Sequence, residues 1–309
     1  QKTDEIYYQS IRFLFAKKIP VTLTKPKTKE DQMPSQISQD REVRFQRARG
    51  TLNISAASAA GNQSRLTNLR QQGSYRAIFP RPIKGTIDAV IINTAGGITG
   101  GDSFSTKITA NNHAKISVTT QAAERIYRAT DEIAGSMQTR LKVKSNAQLY
   151  WMPQETILFE GSRLHRRLEV EVARDSKFLM VEPIVFGREA SGEVLNFCSL
   201  DDRVCITTEG TPIYVDRIKL DGDVALILKR SAVADGLRTM ASIVLFDKMA
   251  KAMIDGVRTL LPPSGGASLL ADNILAMRLL CTDSFALRAA LLPILTHLTQ
   301  NAVPKNWRL

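Results

Sequence analysis

The chain has 309 residues, 43% of them apolar, enough to bury the core of one large domain or two modest ones and enough to exclude global disorder. No apolar run approaches the roughly 20 residues a membrane helix needs, so no membrane partner is expected. A net charge of +12 invites nucleic-acid binding, but aromatics are only 6% and no basic run is interleaved with Phe or Tyr as a stacking platform.

The first fifty residues hold eleven Lys/Arg and six Asp/Glu, and the remaining +7 is spread thinly over the other 259 residues. That distribution argues against a nucleic-acid partner and suits docking on an acidic protein. Near the start, "IRFLFAKKIP" has too short an apolar core for a signal peptide, and no small-residue cleavage site follows it. Cys198, Cys205 and Cys281 are odd in number and form no CxxC. Idle thiols in a reducing compartment fit this pattern, so a cytoplasmic location is expected.

Residues 1–42 read as a flexible extension: "TKPKTKEDQMPSQISQD" is polar, contains Pro and has no period. Residues 43–309 read as one domain, with a β body to about 235 and a mixed, partly helical part over 236–309. Within the body comes "INTAGGITGGD", residues 92–102, with Gly96-Gly97 and Gly100-Gly101 after an apolar run. The spacing is neither the G-x-G-x-x-G of dinucleotide sites nor a P-loop, and Asp102 stands where it would repel a phosphate. The following "SFSTKITA" alternates as a strand rather than opening a helix. The glycines therefore read as a structural loop that permits positive φ and close chain approach.

"TRLKVKS" (139–145) and "RRLEVEVA" (166–173) alternate apolar and charged residues, as strands with one buried face do. Polar turns separate the strands at Asn111-Asn112, Ser145-Asn146 and Asp175-Ser176. A weak repeat of period near thirty starts "AKISVTTQ" at 114, "AQLYWMPQ" at 147 and "SKFLMVEP" at 176. Stacked units of this kind predict layered or solenoid-like β-sheets. Past 235 the period changes. Over 247–261, Met249, Ala252, Met253, Val257 and Leu260 share a helical face, and Pro262-Pro263 stops the helix. "GGASLLADNILAMRLLC" predicts a strand. Residues 284–299 predict a second helix, capped by Ser284 and kinked at Pro293. The fold class is mainly β with a small helical C-terminal part.

No nucleophile elbow occurs, and His113, His165 and His297 lie at no metal-ligand spacing from another His or Cys. The carboxylates hold more interest. Glu155 and Glu160 flank an aromatic-apolar strand, and Glu182 sits inside the apolar run "MVEPIVFGRE" near Arg188. Such acids are costly to bury unless paired with arginine or placed on a cation path, and both readings stay open.

Taken together, "NTAGGITGGD", "TTQAAERIYR", "WMPQETILFEGSRLHRRLEVEV", "GREASGE" and the terminal "NAVPKNWRL" resemble, in order and spacing, the urease accessory protein UreD family, called UreH in some bacteria. The match spans roughly residues 43–309. One departure is local: Thr94-Ala95 stands where many members have Pro-Pro, which leaves the turn less rigid. The resemblance implies a non-enzymatic scaffold that binds apo-urease subunits and UreF, with the GTPase UreG recruited through UreF. It implies no tightly bound cofactor and nickel only in transit through the body. Glu155, Glu160, Glu182 and Asp102 are the candidate carboxylates for that path, and Arg163, Arg166 and Arg188 are their candidate partners if they are structural pairs instead. A nucleic-acid-binding β protein is the alternative, on net charge only.

Overall fold

The computed structural model describes residues 46–81, 85–188 and 192–308. The extension expected over 1–42 lies outside the described residues. In chain order the strands are β1 (Arg49–Ala59), β2 (Gln63–Gly73), β3 (Tyr75–Ile78), β4 (Ile87–Asn93), β5 (Ser103–Ala110), β6 (Lys115–Thr120), β7 (Glu124–Ile126), β8 (Gly135–Val143), β9 (Gln148–Trp151), β10 (Thr156–Leu158), β11 (Ser162–Val172), β12 (Lys177–Phe186), β13 (Cys198–Thr208) and β14 (Thr211–Gly222). A short helix α1 (Val224–Leu228) follows, then β15 (Thr239–Phe246), helix α2 (Ala250–Leu260), β16 (Gly265–Ala271), β17 (Ile274–Cys281) and helix α3 (Ser284–Leu298).

These strands build two sheets. The seven-stranded sheet runs β14-β13-β11-β8-β5-β1-β2, and the ten-stranded sheet runs β16-β17-β15-β12-β9-β6-β4-β3, with β7 and β10 attached at its side. The chain alternates between them in parallel coils. Lys115, Gln148 and Lys177 stand opposite one another in β6, β9 and β12. Ser103, Ser136 and His165 do the same in β5, β8 and β11. The period near thirty in the sequence is therefore one turn of coil through both sheets, and the expected solenoid-like stacking is what the chain forms.

The polar turns stack as the corners of these coils. His113 and Asn146 take left-handed φ values of 61° and 55°, which a short polar turn residue accommodates and a β-branched one resists. The His113 amide donates to the Ser145 carbonyl of the next corner at 3.1 Å. After each corner the chain enters the core at once: Ala114, Ala147 and Ser176 are all buried.

Packing explains the two sequence patterns. The seven-stranded sheet buries one face only, so its strands alternate: Leu164, Leu168, Val170 and Val172 of β11 point inward against Ile116, Leu149, Phe178 and Met180. The ten-stranded sheet is covered on both sides, so β12 and β15 read as continuous apolar runs. Its second face packs Leu179, Val181, Ile243 and Leu245 against Val257 of α2 and Leu287, Leu291, Ile294 and Leu295 of α3.

The C-terminal part departs from expectation in three places. The buried stripe of α2 is Ala250, Met253, Ile254 and Val257, while Met249 and Leu260 are exposed. Met253 and Val257 belong to both stripes, and the helix is turned about its axis so that Ala250 and Ile254, rather than Met249, Ala252 and Leu260, complete the buried one. The residue capping α3 is Asp283, whose side chain accepts from the Ala286 amide at 2.8 Å, rather than Ser284; Pro293 lies within the helix, which runs on to Leu298. The glycine-rich segment before α3 makes a hairpin of two strands, not one, and with β15 it completes the edge of the ten-stranded sheet.

Candidate functional site

The glycine loop carries the chain from β4 to β5, that is, from one sheet to the other. Gly96 and Gly101 have left-handed φ of 78° and 79°. A Cβ on Gly97 would stand 2.6 Å from the Arg125 carbonyl and 2.3 Å from the Tyr127 ring, and one on Gly100 would stand 2.5 Å from the Ile133 carbonyl. The loop thus lies flat against the segment that follows β7. Asp102 holds the corner: its two carboxylate oxygens accept from the Ala48 amide at 2.7 Å and the Thr99 amide at 2.9 Å. The loop is a joint between sheets.

Between the sheets lies a cavity of about 240 Å³. Thr106, Thr139 and Arg166 reach it from the seven-stranded sheet, and Trp151, Glu182 and Glu124 from the ten-stranded sheet. Its polar lining is costly in a protein interior unless paired. Arg166 is paired twice. Its guanidinium makes a two-pronged contact with Asp202, at 2.9 and 2.6 Å, and lies 2.6 Å from Glu182. It also donates to Thr156 at 3.0 Å. Glu182 accepts from the Trp151 indole at 2.6 Å. Burial raises the Glu182 carboxyl above its usual range, Arg166 opposes this, and Asp202 adds to it. The cluster places two carboxylates around one guanidinium.

Glu124 stands across the cavity with a weaker partner. It accepts a hydrogen bond from the Asn93 side-chain amide at 2.9 Å. Burial pushes its carboxyl from 4.5 up to about 7, and the Asn93 hydrogen bond pulls against that rise. Glu124 therefore keeps its proton to higher pH than a solvated glutamate does. It lies inside the quoted "TTQAAERIYR", yet its neighbours Ala122 and Ala123 give no buried-strand signal, so sequence reasoning passed over it.

The four carboxylates expected from sequence separate into distinct settings. Glu182 lines the cavity and pairs with Arg166, one of its expected partners. Glu155 is buried nearby, between the lining residues Gln154 and Thr156, and binds Arg288 of α3 at 3.1 Å, a partner 133 residues away. Glu160 accepts from the Phe197 amide at 3.1 Å. Neither Glu160 nor Asp102 lines the cavity. Arg188 pairs with Glu193 and lies over the Phe159 ring, and Arg163 lies over Phe197. Among the described residues no group of three or more His, Cys, Asp and Glu side chains is arranged to hold a metal ion. Cys198, Cys205 and Cys281 are free thiols, and burial pushes Cys198 up to about 11.

Fold and site define a class: a coil-stacked, two-sheet β body with a polar chamber between its layers. The chain belongs to the UreD urease accessory protein family, whose pattern matches residues 47–308. It is 42% identical to urease accessory protein UreD of Roseobacter denitrificans over 263 residues, covering 85% of this chain and 96% of that protein. It is 45% identical to UreD of a Ruegeria species over 273 residues, covering 85% and 91%. With UreD of Rhizobium rhizogenes the identity is 40% over 269 residues, covering 86% and 97%. The resemblance read from the five motifs is borne out. No helix among the described residues is long and apolar enough to cross a membrane.

Proposed function

We propose that the protein serves urease maturation as a non-enzymatic scaffold in the cytoplasm, binding apo-urease and UreF, with UreG reached through UreF. Nickel passes through the chamber between the sheets on its way to the urease active site. The observation that carries this reading is the chamber itself, with Glu124 and Glu182 in its walls.

A conduit needs sites that attract an ion and release it, not a trap. Nickel accepts carboxylate oxygen but prefers imidazole and thiolate, so a lone carboxylate such as Glu124, or one already paired as Glu182 is with Arg166, holds it weakly. Glu182 and Glu124 are the stations on this path, with Glu155 at its margin. Asp102 and Glu160, spent on backbone amides, support the walls. The glycine loop joins the two sheets beside the chamber, whose lining includes Gly96 and Asn93.

Co-purification of the chain with apo-urease and with UreF, followed by metal analysis of the urease released, tests the reading. Complex formation with nickel-loaded urease is expected. Failure to bind either protein would remove the scaffold role.

A further inference from the structure

The outward face of the seven-stranded sheet is covered by no other layer among the described residues. The strand register fixes which side chains share it. Arg167 of β11 stands directly opposite Arg203 of β13, which stands directly opposite Arg217 of β14. One row further along, Arg140 of β8 stands opposite Lys107 of β5. Counted over all seven strands, the outward positions hold eleven Lys/Arg and four Asp/Glu, a net +7 out of the chain's +12. Charge that is spread thinly along the sequence is gathered in space.

Like charges directly opposite on neighbouring strands are destabilising. A row of three arginines breaks that rule twice, and departures from local consistency concentrate at functional surfaces. Three of the face's four acids are already engaged: Asp201 binds both Arg203 and Arg217, at 2.7 and 2.9 Å, and Glu169 and Glu171 bind Arg140 and Lys142, each at 2.8 Å. Lys107 and Lys219 have no ion pair among the described residues. At about 4.8 Å between strands and about 3.3 Å per residue, the face measures roughly 30 by 30 Å. That is the size of one side of a standard protein interface, about 800 Å².

We infer that this face is a docking surface for a carboxylate-rich protein surface, that of apo-urease; the inference rests on the scaffold reading above. Asp201 shows the binding chemistry in miniature, one carboxylate bridging two guanidinium groups. Nucleic acid fits the face poorly. None of its outward positions carries Phe, Tyr or Trp to stack on bases, its one imidazole, His165, stands directly opposite Asp201, and a seven-stranded face cannot enter a groove about 12 Å wide. An anionic membrane fits poorly too, because Val215 is the one large apolar side chain it exposes.

The test measures apo-urease binding by the full chain, the triple variant Arg167→Gln/Arg203→Gln/Arg217→Gln, and the pair Lys107→Glu/Lys219→Glu, across about 50 to 300 mM salt. A labelled DNA duplex and phosphatidylserine vesicles are run alongside. Wild-type affinity for apo-urease should fall with salt, and each variant should lose about tenfold, mainly in association rate. The triple variant should melt within a few degrees of wild type, because the like-charge opposition it relieves offsets the exposed Asp201 pairs it removes. Wild-type binding with both variants within twofold of it would overturn the assignment and leave the scaffold standing. Wild-type protein that ignores apo-urease would overturn both. Loss of duplex or vesicle binding in the variants, with apo-urease binding unchanged, would give the face to a different partner.

Discussion

Arg166 and Arg167 are adjacent in the chain and live in opposite worlds. Arg166 points into the chamber, 8% exposed, and is held by two carboxylates, a hydroxyl and the packing around them. Arg167 points outward, 51% exposed, with only a distant Glu169 at 3.7 Å. Strand alternation alone separates them. The difference teaches where charge does structural work in this protein. Inside, a charge is fixed because leaving it unpaired is ruinous. Outside, water screens it, and it remains available to a partner.

The largest expected effect breaks the inner cluster. Arg166→Met leaves Glu182 and Asp202 buried without their cation, and should cost about 3–5 kcal/mol in urea denaturation. A loss below about 1 kcal/mol would mean that water reaches the cluster and that inside and outside differ less than argued.

Next comes Glu124. The unfolded chain ionises this carboxyl near 4.5, whereas the folded protein holds the proton until about 7. The folded state therefore binds more protons in that window, and its stability falls as pH rises through it. Asn93 and Tyr75 are the groups that face it. Glu124→Gln cannot titrate, so between about pH 5 and about pH 8 it should lose about 2–3 kcal/mol less than wild type. Parallel curves for the two proteins would show that Glu124 is solvated.

Gly97→Val and Gly100→Val should each cost on the order of 1–3 kcal/mol, because a branched side chain would meet carbonyl oxygens and rings already in place. Differential scanning calorimetry reads the shift, and an unchanged melting temperature would mean the joint yields. Neither variant should alter nucleotide affinity, which is expected to be absent throughout. The smallest effect belongs to the outer face. Arg140→Ala removes an exposed pair with Glu169 and should change stability by less than about 1 kcal/mol.

Much of this architecture is legible in the sequence, for a physical reason. A coil that stacks on itself repeats its chemistry, so a polar corner followed by an apolar run marks β6, β9 and β12 in register. One-sided burial writes alternation into β8 and β11, and two-sided burial writes an apolar run into β12. Where one residue decides, the reading slips. The turn of α2 about its axis exchanges Met249 for Ile254 on its buried face, and the Asp272-Asn273 turn splits one expected strand into β16 and β17. The chamber's surroundings and the outer face are the least legible parts. Glu155 and Arg288 meet across 133 residues, and Arg167, Arg203 and Arg217 align only through register. No local pattern encodes such meetings.

The most direct test of the scaffold-and-conduit account is the nickel content of urease matured with Glu124→Gln. That change removes a carboxylate oxygen from the chamber wall while keeping its size, and among the described residues Glu124 has a hydrogen bond from Asn93 and no ion pair to break. The variant should fold, bind apo-urease and UreF as wild type does, and yield urease with severalfold less nickel. Urease loaded to the wild-type level by this variant, and again by Glu124→Gln combined with Glu182→Gln in a folded protein, would contradict passage of nickel between the sheets.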